Sequence, residues 1–297
     1  MKKFLKKYVI ELILSIILVA GLCLILYPTV SDWWNSLHQS RAIASYVETV
    51  DGLSEEECEE RLAKARAYNE KLAAGNRGFV LTESEMEEYH ALLDVSGTGM
   101  MGYVQIPSIG VSLPVYHGTD EAVLQMAIGH IPGSSLPVGG ESTHCLISGH
   151  RGLPSARLFT DLDRLEEGDI FTLTVLGQKI TYQVDQIRVV LPAEQQDLMI
   201  MDSQDYCTLI TCTPYGINSH RILVRGTRVQ NLEETHEVRA EAVKLPVYQV
   251  VLTTGIPIVL LVVLGVWVYC RLRRAKKTTR ELLEELRRNE DGRNGVL

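Results

Sequence analysis

Two long apolar runs bracket the chain. Tyr8 to Tyr27 is interrupted only by Glu11 and Ser15, and Val250 to Cys270 is a second run. About 20 residues at about 1.5 Å rise each cross a hydrocarbon core of about 30 Å, so each run predicts a membrane-spanning helix. Between them the pattern has two regimes. Residues 29–96 read as helical. Ser54-Glu55-Glu56-Glu57 has the form of a capping box, opening a helix to about Ala73 with Gly75 as its stop and a thin apolar stripe at Leu62, Ala65 and Leu72. A second, acidic helix covers Glu83 to Leu93, and Ser96-Gly97-Thr98-Gly99 marks a boundary.

From Met100 onward the period changes to two. Gly102–Pro107, Val111–Val115, Thr143–Ser148, Ile170–Leu176, Lys179–Val190, Tyr206–Cys212 and Arg221–Val229 predict strands, and Leu176-Gly177-Gln178-Lys179 predicts a hairpin turn. Short helices are expected at Ala122–Ile128 and Ala156–Leu162. Many short strands punctuated by Gly and Pro favour a mainly β domain, a barrel or a sandwich, and about 130 residues are ample for one core. The chain thus divides into a short terminus (1–7), a span (8–28), a helical arm (29–98), a β domain (99–231), a linker (232–247), a second span (248–270) and a charged tail (271–297).

Charge orients this plan. Lys2, Lys3, Lys6 and Lys7 precede the first span, and Arg271, Arg273, Arg274, Lys276 and Lys277 follow the second. Basic flanks at both ends place both termini in the cytoplasm and residues 29–246 outside, at the surface of the cell membrane. The first run is long for a cleaved signal peptide, and Ala20-Gly21-Leu22-Cys23 carries a bulky Leu22 where a lipoprotein box needs a small residue, so a retained helix is expected. The outer segment holds 16 Lys and Arg against 31 Asp and Glu, a formal charge of −15. Such acidity argues against nucleic acid as a partner.

Six cysteines occur, with no C-x-x-C pair to suggest a zinc ribbon or a redox motif. Cys207 and Cys212 are five apart on one predicted strand, and therefore on opposite faces. An unpaired Cys212 outside the membrane asks for a reason, and a reactive thiol is one. The ordinary role of a strand cysteine is a small buried hydrophobe. Cys212, however, ends its strand beside the polar turn Thr213–His220, where a side chain meets substrate. His150 closes another apolar run and lies between Gly149 and Arg151-Gly152; Arg221 opens the strand that returns from the turn after Cys212. A thiol nucleophile needs a proton-transfer partner and a cation for a developing oxyanion, and these three residues supply that set. His220, His144 and His117 compete with His150 for the acid role. Arg225 shares Arg221's face but lies farther from the turn and reads as structural. Asp161, Asp163, Glu166 and Glu167 lack the spacing and glycine of a calcium loop and read as a solvated face, so neither a metal nor a cofactor is called for.

Thr208-Leu209-Ile210-Thr211-Cys212 with Arg221 nine residues on resembles the signature of sortases, membrane-bound cysteine transpeptidases of Gram-positive bacteria. Ser148–Phe159, Cys212–Asn218 and Leu113–Gly118 are each similar to class C, the pilin-polymerising sortases, and the likeness extends over about residues 100–230. The resemblance implies an eight-stranded β-barrel. It implies that Cys212 attacks the Thr–Gly bond of an LPXTG-like sorting signal on a pilin or surface protein, with His150 as acid and then base and Arg221 at the carbonyl. A lysine amine of a pilin then resolves the thioester. Class C sortases commonly carry an Asp-Pro-aromatic lid. This chain has no Asp-Pro pair, and Phe79, in the segment Ala73–Thr82, is the aromatic that would stand in the plug's place. Three other outcomes stay open on sequence: transfer to cell-wall peptide, hydrolysis as a cysteine protease, and a non-catalytic membrane-anchored binding module with Cys212 buried.

Overall fold

The computed structural model describes residues 2–75 and 79–231, with isolated positions 255, 259 and 265 beyond them. The expected linker, second span and charged tail lie outside the described residues, apart from those positions. The first span forms as part of a much longer helix, α1 (Lys2–Asp51), which runs unbroken through Pro28. Among the described residues it is the one helix long and apolar enough to cross a membrane, and none of its apolar window is buried against them.

Beyond Pro28 one face of α1 becomes a docking face. Asp32, Asn35, Gln39, Tyr46 and Val50 recur at helical spacing, and the first four hydrogen-bond to the β domain. Two shorter helices complete the arm, α2 (Glu55–Gly75) and α3 (Glu83–Ala91). The expected capping box at the start of α2 is present: the Ser54 N–H donates to the Glu57 carboxylate (2.8 Å) and the Glu57 N–H to the Ser54 hydroxyl (3.2 Å). Thr82 and Glu85 repeat the device on α3.

The β domain is a closed barrel of eight strands: β1 (Met100–Ile106), β2 (Val111–His117), β3 (Ile128–His130), β4 (Thr143–Ser148), β5 (Ile170–Val175), β6 (Gln178–Val190), β7 (Asp205–Thr213) and β8 (His220–Val229). Their order around the barrel is β1-β2-β3-β4-β7-β8-β6-β5. The predicted β5–β6 turn is a two-residue loop, with Val175 opposite Gln178 and both Leu176 and Gly177 at positive φ. That conformation matches the twist of the strands it joins.

Period two decides what each strand buries. Cys145 and Ile147, Cys207 and Leu209, and Ile222 and Val224 point into a core shared with Phe171, Tyr182 and Phe159. The alternate positions Leu146, Ile210 and Leu223, joined by Val190, form a separate apolar patch on the outer wall. A third cluster glues the arm to the barrel, with Tyr46, Leu62, Ala65, Tyr68 and Tyr89 packed on Met100, Met101 and Leu136.

Two expected elements need correction. The helix predicted over Ala122–Ile128 stops early, as α4 (Glu121–Leu124), and Ile128 instead opens β3, which pairs in parallel with Val115 of β2. No α-helix forms over Ala156–Leu162, and only its last residue enters a helical turn, the 3-10 helix Leu162–Arg164. That stretch is a series of turns with Leu158 at φ 40°, and it buries Phe159 completely. Helical periodicity there is overridden by the need to bring one aromatic into the barrel mouth and to dock on α1.

Candidate active site

The site lies on the outer wall where β7 runs between β4 and β8. Cys212 is the cross-strand partner of Arg221, the two side chains sharing a face and standing about 5 Å apart at Cβ, as directly opposed residues do. On its other side β7 pairs in parallel with β4 at a constant offset, from Thr143 opposite Asp205 to Ser148 opposite Ile210. The offset persists past the end of β4. The Thr211 hydroxyl donates to the Gly149 carbonyl (2.7 Å), and Arg151 reaches the Thr213 hydroxyl (3.4 Å), each pair 62 residues apart. His150 stands between those two ties and 62 residues from Cys212. Cys212 is therefore flanked by His150, in the loop that continues β4, and by Arg221 on β8.

Local packing explains why His150 sits where it does. Gly149 lies so close to the core that a Cβ there would come within 2.7 Å of Ile128 and Phe159 side-chain atoms. The Phe159 N–H donates to the His150 carbonyl (3.1 Å), closing the loop that sequence periodicity reads as helix. Arg151, ion-paired with Asp163, also lies over the Tyr215 ring at 5.9 Å, which ties this loop to the β7–β8 turn. His150 is partly exposed, and its Nε2 lies 4.0 Å from a carboxylate oxygen of Glu121 on α4. Glu121 escaped sequence reading because only the fold brings α4 beside this loop. Arg221 donates to the carbonyls of Asn218 (3.2 Å) and His220 (3.0 Å), so its guanidinium rests on its own turn.

The competing residues are occupied elsewhere. His144 is buried on the outer wall, bonded to the Met199 carbonyl (2.9 Å) and the Thr208 hydroxyl (2.7 Å), and burial holds its pKa down to about 4. His117 faces the arm, where burial lowers its pKa and its Nε2 has no hydrogen-bond partner among the described residues. His220 bonds to Ser219 at the turn. Arg225 is held by both carboxylate oxygens of Asp185 (3.1 and 2.8 Å) and stacks over Tyr206, in keeping with its structural reading. Cys207 lies in the core, where burial pushes its thiol well above the ordinary range, whereas Cys212 is partly exposed. Asp161 pairs with Arg157 and Arg164, and Asp163 with Arg151, so the two aspartates of the acidic run are ion-paired at the surface.

The floor beside Cys212 is the outer apolar patch of Leu146, Val190, Ile210 and Leu223, and it is covered. Phe79, from the segment joining α2 to α3, packs on this patch together with Leu198 and Ile131. The covering backbone comes very close, since a Cβ on Gly133 would lie 2.8 Å from the Phe79 Cα. Phe79, Leu198, Met199 and His144 also line a cavity of about 130 Å³ against Leu72 and Ala73 of α2.

Comparison with known proteins agrees with this fold. A sortase domain model matches residues 104–229. The crystal structure of sortase C1 from Streptococcus agalactiae is 50% identical, with a TM-score of 0.64, over 65% of this chain and 100% of that one. Sortase C from Streptococcus pneumoniae is 46% identical with a TM-score of 0.58, over 64% of this chain and 97% of that one. Clostridium perfringens sortase C, solved with the C-terminal cell wall sorting motif, is 40% identical with a TM-score of 0.58, over 65% and 100% of the two chains. Sortase D of Bacillus subtilis is 28% identical over 131 residues, and the chain spans 63% of that protein's length. A closed eight-stranded barrel, a cysteine flanked by histidine and arginine on its outer wall, and this degree of identity lead to one conclusion: the chain belongs to the sortase family, among the class C sortases.

Proposed function

We propose that the protein is a membrane-anchored cysteine transpeptidase that joins an LPXTG-like sorting signal to a lysine amine of a pilin. The observation that carries this reading is the placement of Cys212 on the central strand of three, with Arg221 on one neighbour and His150 in the loop that continues the other. The Cys212 thiolate adds to the threonine carbonyl of the signal, and Arg221 donates to the oxyanion. As the carbon–nitrogen bond breaks, His150 protonates the departing glycine amine, leaving a thioester on Cys212. An incoming amine attacks the thioester, gives its proton to His150, and expels the thiolate as an amide forms. Sequestration of the thioester favours amine over water. The apolar floor at Leu146, Val190, Ile210 and Leu223 suits the apolar side chains of such a signal.

Intact-mass measurement of the full chain with an LPXTG-type peptide tests the reading. Wild type gains an acyl adduct that Cys212→Ala lacks, and adding a lysine-bearing pilin domain converts the adduct to a cross-linked product. Rapid loss of the adduct to water with amine present would identify a hydrolase, and transfer confined to cell-wall peptide would identify an anchoring enzyme. Phe79 acts in this reading as a plug despite the missing Asp-Pro pair, because it lies on the floor the signal would occupy. Phe79→Ala speeds alkylation of Cys212 several-fold; an unchanged rate removes Phe79 as the plug.

A further inference from the structure

The helix that carries the apolar run is also the helix that grips the catalytic loop. The apolar run ends at Tyr27, and α1 continues without a break. Asp32 accepts the Arg157 N–H (2.8 Å) and Asn35 donates to the Ser155 carbonyl (2.7 Å). Both partners lie in the loop that begins at His150 and closes with Phe159. Farther along the same face, Tyr46 bonds to Met101 and Leu176, and Val50 packs in the cluster containing Leu176, at the β5–β6 turn. These ties fix the polarity of the barrel along α1: the His150 end faces the apolar run and the β5–β6 turn points away from it. Asp32 lies about 8 Å along the helix axis from Tyr27 at about 1.5 Å per residue. Trp33 and Trp34, next to Asp32, suit the headgroup layer. At the same end, Tyr215 and Ile217 of the turn after Cys212 are 61% and 73% exposed.

The geometry points to α1 as a ruler: it holds the catalytic cleft at the bilayer surface, so the enzyme favours polypeptides anchored in the same membrane with the sorting signal about 1 nm above it. This rests on the transpeptidase reading and on insertion of the apolar run. An anchored signal at the matching height meets the cleft at high effective concentration, and one held at another height does not.

The full chain is reconstituted in liposomes with either a soluble LPXTG peptide or the same peptide on a transmembrane helix, joined by spacers of graded length. Wild type shows an optimum spacer length with the anchored substrate, falling at least tenfold on the longer side; a flat dependence overturns the ruler. Seven residues of helix-forming sequence inserted between Thr29 and Val30 raise the barrel by about 10 Å and nearly preserve the bearing of its docked face. The insertion leaves turnover of the soluble peptide within about twofold of wild type, lowers turnover of the short-spacer anchored substrate at least tenfold, and shifts the optimum to longer spacers. Equal turnover of every anchored substrate, or a loss that longer spacers do not restore, refutes the ruler. Absence of turnover of the soluble peptide by wild type would refute the transpeptidase reading instead.

Discussion

Arg221 is a residue whose value lies in its geometry as much as its charge. A guanidinium offers a planar fork of donors, whereas lysine offers a compact point charge. Arg221→Lys therefore lowers kcat/KM for the signal peptide by about two orders of magnitude, as loss of an oxyanion donor does, while iodoacetamide still alkylates Cys212. If kcat/KM falls less than fivefold, Arg221 does not contact the carbonyl. His144 gives a prediction in pH. Burial holds its folded-state pKa near 4, below the ordinary value of 6.5, so the unfolded chain takes up the proton first. The stability associated with the neutral ring is fully present above about pH 6.5 and is lost as pH falls to about 4, about 3 kcal/mol at most. His117 shifts in the same direction. Urea denaturation across that window shows the loss, and His144→Gln flattens it; a wild-type profile already flat from pH 6.5 to 4 contradicts the assignment. The candidate set Cys212, His150 and Arg221 could be proposed from sequence because each ends or opens an apolar run. Glu121 and the Phe79 contact could not, since neither has any local pattern and both depend on which loops the barrel brings together.

Among the elements, α3 is tied to the barrel through the buried hydroxyl of Tyr89. The Tyr89 hydroxyl accepts the Gly118 N–H (3.0 Å) and reaches the His130 Nδ1 and carbonyl at 3.0 and 3.2 Å. Its ring lies between His117 at 4.8 Å and His130 at 5.6 Å. Tyr89→Phe keeps the ring and strands the buried Gly118 N–H, at a cost of about 1–3 kcal/mol in denaturant unfolding. No loss would mean that water replaces the hydroxyl. Because α3 and Phe79 belong to one arm, the same change loosens the cover and raises the alkylation rate at Cys212. Seven of the eight strands were readable from period two, with ends shifted by one or two residues. The eighth, β3, has three residues and lies beside an apolar stretch of helical spacing; its identity comes from pairing with β2 and β4, which no local signal encodes. The Ala156–Leu162 turns were missed for the same reason, because burial of Phe159 decides their path.

Taken whole, the molecule is a wall that works on its outside. Residues of one parity fill the barrel and those of the other build the reactive face, so a one-residue slip of β7 would bury Cys212 and expose Cys207. Closure has a further consequence. With β5 paired to β1 the barrel closes, and β7, the strand that carries Cys212, is paired on both sides, with β4 and with β8, so its backbone offers no free row of N–H and C=O groups to a visiting peptide. A sorting signal therefore cannot bind by adding a strand beside Cys212, the mode in which main-chain bonds accept nearly any extended sequence. Its affinity must come from what its side chains fit into on the wall and in the loops above it. That requirement turns an extended peptide into a spelled word, and it confines the thiol to the few proteins that carry it.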